Sequence, residues 1–564
     1  MPSLIATGVG AAFAVVLAGL IGLAAWRRRR LLTRVRNAWG EIAPVRALED
    51  DRVAEAWREL LGNEVGGASL DERTWTDLDL DTVLASIDRT HTALGRQALY
   101  RRMRSGQAWI DSPIQEPLTR RFGSEPDLRE AAGVRLAGAG RSLGYGLWII
   151  LRPELIGVRW WYWSFPLLST AMLASLLAIP FQPRAFIAVV AILALNLVVK
   201  TATAWQIPGI LTPMRHMGPL LRTAGRLAEL EGVAPTGVSD DLRRLRPLRW
   251  IAECVSRDAV ASGEIVAAIW EYLNLAFVFD ANALLLTSRF LRRHGPVLAR
   301  VALWVGDTDA AWSVASLRAE PRAWSIPAWS SGDRTEAVGV WHPLVHAPVP
   351  NDIDLRSGAG TIITGANMSG KSTYLRTVGV AAVLARSINT CPATAWSGMS
   401  FRVRSLIGRN DDLSAGKSYY QVEADGVVRL LADALEERPT LFLLDELLRG
   451  TNSVERLAAG EAVLRALLPH PACGSPHVVI VATHDGELVS MLEGLYLPYH
   501  FRESVGSEGL TFDYKRREGP ASTRTAIALL EATGAPPALI QQARTRAEQL
   551  DGGRLIKPGR TGKG

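Results

Sequence analysis

A short stretch past the middle of the chain combines residue types and a spacing that suit the binding of phosphate groups. It reads Gly-Ala-Asn-Met-Ser-Gly-Lys-Ser-Thr over residues 365–373, between an apolar run and a helical pattern. A G-x-x-x-x-G-K-S loop between a strand and a helix directs backbone N–H groups and the positive end of the helix dipole at phosphates. Lys371 would then reach the β- and γ-phosphates of a nucleotide, and Ser372 would bind Mg²⁺. The predicted nucleotide contacts are Gly365, Ala366, Asn367, Met368, Ser369, Gly370, Lys371, Ser372 and Thr373.

Two further apolar runs end in polar residues that suit the hydrolysis of a bound nucleotide. The run 441–446 ends in Asp445 and Glu446, and the run 478–484 ends in His484. Asp445 is placed to hold Mg²⁺ through water, and Glu446 to polarise the attacking water as a general base. His484 would lie at the carboxyl edge of the sheet, where ligands of open α/β sheets bind, and so within reach of the γ-phosphate.

Alone, a histidine in that position is more typical of a structural strand end. Beside a phosphate loop and an Asp-Glu strand, the catalytic interpretation is favoured, and the sequence predicts an ATPase that uses ATP and Mg²⁺. The predicted catalytic residues are Lys371, Glu446 and His484, and the predicted Mg²⁺ ligands are Ser372 and Asp445.

At the level of whole motifs, the chain resembles the MutS-type ATPases of the ABC superclass. The resemblance rests on T-G-A-N-M-S-G-K-S-T at 364–373, D-D-L-S-A-G-K-S-Y-Y-Q-V-E at 411–423, L-L-D-E-L-L-R-G-T-N-S at 443–453 and A-T-H at 482–484. The Asn367-Met368 pair makes the first motif far more specific than a generic phosphate loop. Two departures are visible, because Ser369 replaces a customary glycine and Leu447-Leu448 replaces an Ile-Gly pair. Neither departure removes a group that ATP chemistry needs.

The resemblance also carries implications for assembly. In such proteins each nucleotide is sandwiched between two subunits, so Ser418 would approach the γ-phosphate in the partner's site of a homodimer. Residues 74–103 look like the opening of the family's helical core, and residues 519–550 resemble its carboxyl-terminal dimerisation segment. The family's amino-terminal mismatch-reading domain has no room in the first 73 residues, and no nuclease-like module follows the ATPase motifs.

The amino terminus predicts a membrane anchor. Residues 4–26 form an uncharged run that is long enough to cross a bilayer as a helix, and four arginines follow it at 27–30. A cleaved signal peptide would carry its positive charge before the apolar region. The observed order favours an anchor with Met1 outside and the arginines in the cytoplasm.

A second apolar block, at about 160–199, is broken at 180–184 and is predicted to form a helical hairpin in the membrane. Its first residues are four aromatic side chains, which suit a membrane interface. The predicted spans are about 160–179 and 185–200. The second arm is short, so it must tilt little, extend past Lys200, or be re-entrant.

Three crossings that start outside place the ATPase motifs in the cytoplasm, which is the side that holds ATP. The chain is therefore predicted to be a multi-pass protein of the cytoplasmic membrane, with the lipid bilayer as a partner and residues 27–159 and 200–564 in the cytoplasm. A further candidate, 265–286, carries Glu271 and Asp280 in its middle, and charges there are costly in lipid. It is instead predicted to be a helix packed in the soluble core, with both carboxylates outward.

The net charge of +7 invites a nucleic-acid interpretation, which membrane topology makes unnecessary. Six arginines lie beside the first apolar run, and without them the net charge is about +1. Local basic clusters remain at 243–249 and 289–293, and each could meet a phosphate backbone or form a solvated helix face. The three cysteines, Cys254, Cys391 and Cys473, lack metal-ligand spacing and are predicted to be reduced.

The predicted fold is an α/β P-loop ATPase domain of the ABC/MutS type, joined to a mainly α-helical core and three transmembrane helices. Two functions remain open: a membrane-tethered ATPase of the mismatch-repair type that binds DNA, or a membrane mechanochemical ATPase whose dimer closure moves its transmembrane helices without DNA. The predicted domains are an anchor (1–26), a cytoplasmic helical segment (27–143), a membrane hairpin (144–204), a second helical core segment (205–330), the ATPase domain (331–519), a helical dimerisation segment (520–551) and a disordered tail (552–564).

Overall fold

The computed structural model divides the chain into two compact units, and each unit is assembled from segments that are distant in sequence. The first unit contains Met1–Ser69 and Leu84–Pro321, and the second contains Leu70–Val83 and Arg322–Gly564. The structure describes residues 2–42, 70–140, 160–203, 207–248, 264–366, 368–407, 419–448, 452–468, 477–506, 509–520, 527, 530–531 and 534–554.

The described part of the first unit is helical. Its longest helix, of 40 residues, ends at Arg318 and packs along the two helices that follow residue 92 and residue 114. Numbered along the whole chain, the α-helices up to residue 318 are α1 (Pro2–Asn37), α2 (Glu72–Asp77), α3 (Leu80–Ile87), α4 (Ala93–Ser105), α5 (Gln115–Ser124), α6 (Pro126–Ala137), α7 (Ser164–Ala178), α8 (Ala185–Thr203), α9 (Ile207–Ala228), α10 (Val238–Arg244), α11 (Glu264–Phe277) and α12 (Phe279–Arg318).

A buried carboxylate fixes the crossing of α12 and α4. Asp309 accepts hydrogen bonds from the N–H groups of His91 (3.0 Å) and Thr92 (2.8 Å) and from the Thr92 hydroxyl (2.7 Å). Gly95 makes this approach possible, because a Cβ there would lie 2.3 Å from a carboxylate oxygen of Asp309. Burial raises the pKa of Asp309 to about 7, although the three donors act in the opposite direction. The carboxylate thus joins two helices whose residues are about 200 positions apart.

The apolar hairpin consists of α7 and α8, which pack against each other. The second arm is longer than the sequence suggested, because α8 continues past Lys200 to Thr203. The first arm, α7, has 15 residues, which is fewer than a full crossing needs. Among the described residues, one helical stretch is long and apolar enough to cross a membrane: Ala185–Ala202, with a mean hydropathy of 2.3 and 17% of it buried. The structure therefore offers one candidate span where the sequence predicted three.

The predicted anchor lies within a continuous helix, α1. The side chains of most residues in its apolar run, 4–26, lie outside the described residues, so the anchor stays a prediction.

The apolar segment 265–286 forms two helices where the sequence predicted one. Between α11 and α12, Val278 adopts a left-handed conformation with φ of 48°. Helix α11 packs against both arms of the hairpin. Of the two carboxylates in the middle of the segment, Glu271 on α11 pairs with Lys200, and Asp280 on α12 accepts a hydrogen bond from Asn274 Nδ2 at 2.6 Å. The segment therefore packs against the hairpin, and its place in a soluble core stays a prediction.

The second unit contains two sheets with flanking helices. A four-stranded sheet has the order β1-β5-β2-β3, and a six-stranded sheet has the order β10-β9-β4-β8-β7-β6. The strands are β1 (Ala328–Trp329), β2 (Arg334–Val340), β3 (Asn351–Arg356), β4 (Gly360–Thr364), β5 (Ala395–Gly398), β6 (Arg402–Leu406), β7 (Thr440–Asp445), β8 (Val478–Ala482), β9 (Tyr496–Gly506) and β10 (Gly509–Glu518). The helices are α13 (Lys371–Ile388), α14 (Tyr419–Asp433), α15 (Ser453–Leu467), α16 (Gly486–Met491) and α17 (Pro537–Arg554).

The centre of the larger sheet positions the predicted chemistry. Strands β4, β8 and β7 are parallel neighbours, and nearly all of their residues are buried, as in parallel sheets that are covered on both faces. Because they are parallel, their carboxyl ends meet at one edge, where the phosphate loop, Asp445 and His484 follow. The predicted α/β fold of this region is confirmed.

Candidate nucleotide site

The phosphate loop joins the carboxyl end of β4 to the start of α13. Gly365 and Gly370 have φ values of 143° and 107°, which side chains rarely adopt, and Met368 has a φ of 71°. A Cβ at Gly365 would also lie 2.8 Å from the carbonyl oxygen of Phe501, so only glycine fits there. Met368 is 84% exposed, so the loop presents its tip to solvent. Asn367 lies outside the described residues.

Lys371 folds back over the loop. Its amino group donates hydrogen bonds to the carbonyl oxygens of Gly365 (2.7 Å) and Ala366 (2.8 Å). The positive charge therefore lies inside the curve of the loop, where a nucleotide's phosphates would bind. Thr373 is exposed on the first turn of α13.

The two predicted Mg²⁺ ligands are in contact. Ser372 Oγ donates a hydrogen bond to Asp445 Oδ2 at 2.5 Å, from the start of α13 to the end of β7. The other carboxylate oxygen, Asp445 Oδ1, is buried and has no hydrogen-bond partner. A buried carboxylate oxygen without a donor is costly, and a hard cation such as Mg²⁺ prefers such oxygens as ligands. The pair therefore fits Mg²⁺.

The predicted base and the predicted histidine also meet. Glu446 Oε1 contacts His484 Nε2, and the other ring nitrogen, Nδ1, lies 3.5 Å from the carbonyl oxygen of Gly365. Glu446 has a φ of 54°, and its N–H donates to the carbonyl oxygen of Ala482 at 2.9 Å. Lys371 and His484 thus both approach the same carbonyl group of the loop. The contact adds a relation that the sequence did not predict, since the two predicted catalytic side chains touch each other.

Both departures from the family pattern have structural consequences. Ser369 is fully buried, and its hydroxyl has no hydrogen-bond partner. Leu448 stands where the family has glycine, and its φ is 56°, a conformation that costs a residue with a Cβ about 1 kcal/mol. A hydrogen bond from Leu448 N–H to Glu423 Oε1 (2.6 Å) holds this turn in place. The chain after Glu446 is therefore a strained turn fixed by a buried carboxylate.

Two residues beside the loop were missed by the sequence interpretation. The ring of Tyr514, on β10, lies 3.2 Å from where a Cβ at Gly370 would be, and the residue is 45% exposed. Glu503, on β9, accepts a hydrogen bond from the N–H of Ala366 at 3.2 Å. Both come from a hairpin more than 130 residues further along the chain, so the sequence around the loop does not indicate them.

Residues 70–83, which we name the clip, pack against the edge strand β6. Asp77 Oδ2 accepts hydrogen bonds from Ser405 Oγ (2.8 Å) and from the N–H of Ile407 (2.8 Å). Thr74 Oγ1 accepts a third, from the N–H of Ser405 at 3.0 Å. The clip therefore covers the end of an otherwise open sheet edge.

The clip also contacts the helix that follows the phosphate loop. Arg376 Nε, on α13, donates to the carbonyl oxygen of Asp77 at 2.8 Å, and Leu78 fills the space beside Gly379. Arg73 donates to the carbonyl oxygen of Val422, on α14, at 3.3 Å. The clip thus joins α13 to both flanks of 408–418. That stretch contains Ser418 and lies outside the described residues.

His342 is buried close to the clip. The pKa of His342 is lowered to about 4, chiefly by burial and also by the charge of Arg376, while Asp79 opposes the shift. Its Nδ1 accepts a hydrogen bond from the N–H of Leu344 at 3.2 Å, as the neutral ring requires. The imidazole is therefore uncharged near neutral pH.

Comparisons with known proteins match the part of the chain that contains this site. Residues 361–551 match the family model of MutS domain V. The DNA mismatch repair protein MutS 2 of Halobacterium salinarum is 35% identical over 221 residues, which are 38% of this chain. The DNA mismatch repair proteins MutS of Erythrobacter litoralis and a Roseiflexus species are 33% and 31% identical over 271 and 267 residues, 46% of this chain in each case. The chain spans between 24% and 30% of the length of these curated relatives.

Proposed function

Because the chain is a MutS-related protein that carries a MutS domain V at residues 361–551, we propose that it binds MgATP at the phosphate loop and hydrolyses it to ADP and phosphate. The observation that carries this proposal is the contact between Ser372 Oγ and Asp445 Oδ2 at 2.5 Å, with the remaining oxygen of Asp445 buried and unpartnered. Lys371 is the neighbour of Ser372 in the sequence, and Glu446 is the neighbour of Asp445. The contact therefore brings a phosphate-binding charge and a candidate base to the same edge of the sheet.

Each residue has a separate task in this proposal. Lys371 would bind the β- and γ-phosphates, while Ser372 and Asp445 would hold Mg²⁺, which neutralises charge on the phosphate oxygens when bound. Glu446 would accept a proton from the water that attacks the γ-phosphorus, while the bond from that phosphorus to the bridging oxygen breaks and ADP leaves. His484, in contact with Glu446, would keep the carboxylate oriented.

We further propose that the active form is a dimer. The support is the family resemblance, in which the segment that contains Ser418 completes the site of a second subunit. In this chain the clip fixes both flanks of that segment.

Nucleotide binding by the detergent-purified full chain tests the ATPase proposal. Lys371→Ala should weaken binding of a fluorescent ATP analogue about 100-fold, because hydrogen bonds to charged groups contribute roughly 1.5–3 kcal/mol each. Lys515→Ala is the matched control, since this lysine on β10 donates to the carbonyl oxygen of Pro350 (2.8 Å) at the surface. Its binding should change less than about twofold. Equal affinity of the wild type and Lys371→Ala would contradict the proposed site.

The first proposed use of ATP hydrolysis is an action on DNA. The support is the similarity to proteins named for DNA mismatch repair. Some of the basic side chains form ion pairs within the chain and are less available to a phosphate backbone. Arg243 pairs with Asp240, and Arg300 pairs with Asp241. Arg289 lies over the ring of Trp163, at the apolar hairpin, with its guanidinium 4.5 Å from the ring centroid.

The second proposed use is mechanical work on a membrane to which the hairpin attaches the protein. The supporting observation is the exposure of α8, of which the candidate span is 17% buried, together with the 40-residue helix α12 that begins beside the hairpin. A titration of duplex DNA at increasing salt, with and without ATP, separates the two uses. Affinity that falls steeply with salt supports the first, because phosphate contacts release counterions. Intact ATP hydrolysis without DNA binding at low salt supports the second.

A further inference from the structure

The break at Val278 turns α11 and the start of α12 into a V that packs on the hairpin. Helix α11 contacts both α7 and α8, and α12 contacts α7. Two hydrogen bonds link the arms of the V across the vertex. Asn274 Nδ2 donates to Asp280 Oδ2 (2.6 Å), and Asp280 N–H donates to Asn274 Oδ1 (3.0 Å). The vertex is therefore a defined turn.

The carbonyl groups that the break leaves open are capped by side chains of the hairpin. Asn196 Nδ2, on α8, donates to the carbonyl oxygens of Leu275 (3.1 Å) and Ala276 (2.7 Å). Ser169 Oγ, on α7, donates to that of Phe277 at 2.6 Å. At a surface helix end, water can satisfy such groups. Within a bilayer, irregular backbone is tolerated only where protein satisfies it, and that condition is met here.

Charged and aromatic contacts join both open ends of the V to the same end of the hairpin, the end that holds Trp163 and Lys200. On one arm Glu271 pairs with Lys200, and Asn196 lies one helical turn further into the hairpin. On the other arm Arg289 lies over Trp163, and Asn282, two turns earlier, donates to Ser169 Oγ at 2.8 Å. The vertex is thus about 6–10 Å deeper than the charges, at 1.5 Å per residue. That depth is less than one leaflet of a hydrocarbon core about 30 Å thick.

Among the described side chains, both the V and the hairpin expose many large apolar groups. Clusters of exposed apolar side chains are uncommon on soluble surfaces. Glu271, Lys200 and Arg289 lie at the rim of this cluster, while Asp280, beside the vertex, is half-buried and hydrogen-bonded to Asn274. On the V, the large apolar side chains that are at least 40% exposed are Ile269, Tyr272, Leu273, Phe279 and Leu286. On the hairpin, those that are at least 50% exposed are Trp160, Trp163, Leu167, Leu173, Leu177, Phe181, Phe186, Ile187, Val190, Leu197 and Val198.

From these observations we infer that residues 264–289 are a re-entrant element that dips into one leaflet, the leaflet from which the hairpin enters. Its occupant is the acyl chains of lipid, and the inference rests on the proposed attachment of the hairpin to a membrane. The aromatic and charged rim sits at the headgroups, as interfacial anchors do. The carboxylates that argued against a full crossing are accommodated because the element never reaches the bilayer centre.

Depth-dependent fluorescence quenching in reconstituted vesicles tests this inference. Single cysteines are introduced into the full chain after Cys254, Cys391 and Cys473 are replaced by serine, and each is labelled with NBD. Leu273→Cys probes the V and Val190→Cys probes the hairpin. Leu303→Cys, at an exposed apolar residue of α12 beyond the V, is the matched control. Phosphatidylcholine vesicles carry a nitroxide at acyl carbon 5 or carbon 12.

The V should be quenched more strongly by the shallow nitroxide, the hairpin site by the deep one, and Leu303→Cys by neither. Quenching at Val190→Cys without quenching at Leu273→Cys would overturn the re-entrant element and leave the membrane attachment intact. A Leu273→Cys label that is blue-shifted but not quenched would also overturn it, because a second protein copy would then cover the V. Absence of quenching at both sites would show that the membrane attachment itself fails.

Discussion

Asp309 and Asp445, one in each unit, are surrounded in opposite ways. Asp309 accepts hydrogen bonds from three donors and holds two helices together. Asp445 has one donor, Ser372, and its second oxygen is buried without a partner. The residue type is the same, but the first carboxylate is satisfied by the fold and the second keeps one unsatisfied oxygen. An unsatisfied polar group is therefore a better marker of this site than the presence of an acidic residue.

The largest expected effect is a loss of ATP turnover on substitution of Glu446, the residue that follows Asp445. Glu446→Gln keeps the shape of the side chain and removes the base, so kcat for ATP should fall roughly 10²- to 10⁴-fold. The thermal midpoint should stay within about 2 °C, because glutamine keeps the size of the side chain and an oxygen that can meet His484. Glu461→Gln, a matched change at an ion pair on α15, should leave kcat unchanged. Wild-type turnover by Glu446→Gln would remove Glu446 from its proposed role.

The different surroundings of the two aspartates predict different losses of stability for Asp309→Ala and Asp445→Ala. The first variant leaves three buried donors without an acceptor and should lower the free energy of unfolding by about 3 kcal/mol. The second removes one oxygen that had no partner and one that accepts from the half-buried Ser372 hydroxyl, which water can then satisfy. Stability without nucleotide should therefore change by less than about 1 kcal/mol. Denaturant unfolding of both variants without ATP measures this difference, and equal losses would refute the contrast.

Asp77, in the clip, shares features with both aspartates. Like Asp309 it accepts hydrogen bonds from the fold, and like Asp445 it lies close to the candidate site. Asp77→Ala deprives Ile407 N–H of its acceptor, and the flank of the Ser418 segment should shift. We expect kcat to fall about tenfold, because small misplacements of catalytic groups are costly. The affinity for ATP should change less than about twofold, since Lys371 and Ser372 keep their positions. Asp77→Asn keeps an acceptor oxygen and should recover most of the loss; if it does not, the geometry of the clip is not the cause.

The smallest effect is a pH dependence at His342, a satisfied group near the clip. Its pKa is lowered in the folded chain to about 4 from 6.5, so the unfolded chain binds the proton first as pH falls. Stability from this group is complete above pH 6.5 and is lost toward pH 4, on the order of 2 kcal/mol. His342→Asn keeps an acceptor for Leu344 N–H without a proton to gain. Its thermal midpoint should fall less than that of the wild type between pH 7 and pH 5, and parallel curves would exclude this role.

The parts of the site that are contiguous in sequence were predictable, and the parts that depend on distant contacts were not. The phosphate loop, Asp445 and Glu446 follow from local strand and glycine patterns. Asp77 and Ile407 are 330 residues apart, and a single buried aspartate on a short helix carries no signal of its partner. The break at Val278 was missed for a related reason, because neither glycine nor proline marks it. The capping side chains on α7 and α8 stabilise it, and they come from a different part of the chain.

The clip also has a consequence for the order in which the chain is synthesised. Residues 70–83 leave the ribosome more than 300 residues before their docking surface on β6 is complete. During that interval Trp75 and Leu78, which are almost fully buried in the finished protein, have no native partner. The second unit is then completed by the segment of it that is synthesised first, and a fragment that starts at residue 322 would lack that segment. Production of that unit alone therefore requires residues 70–83 to be supplied, either by fusion or as a separate peptide.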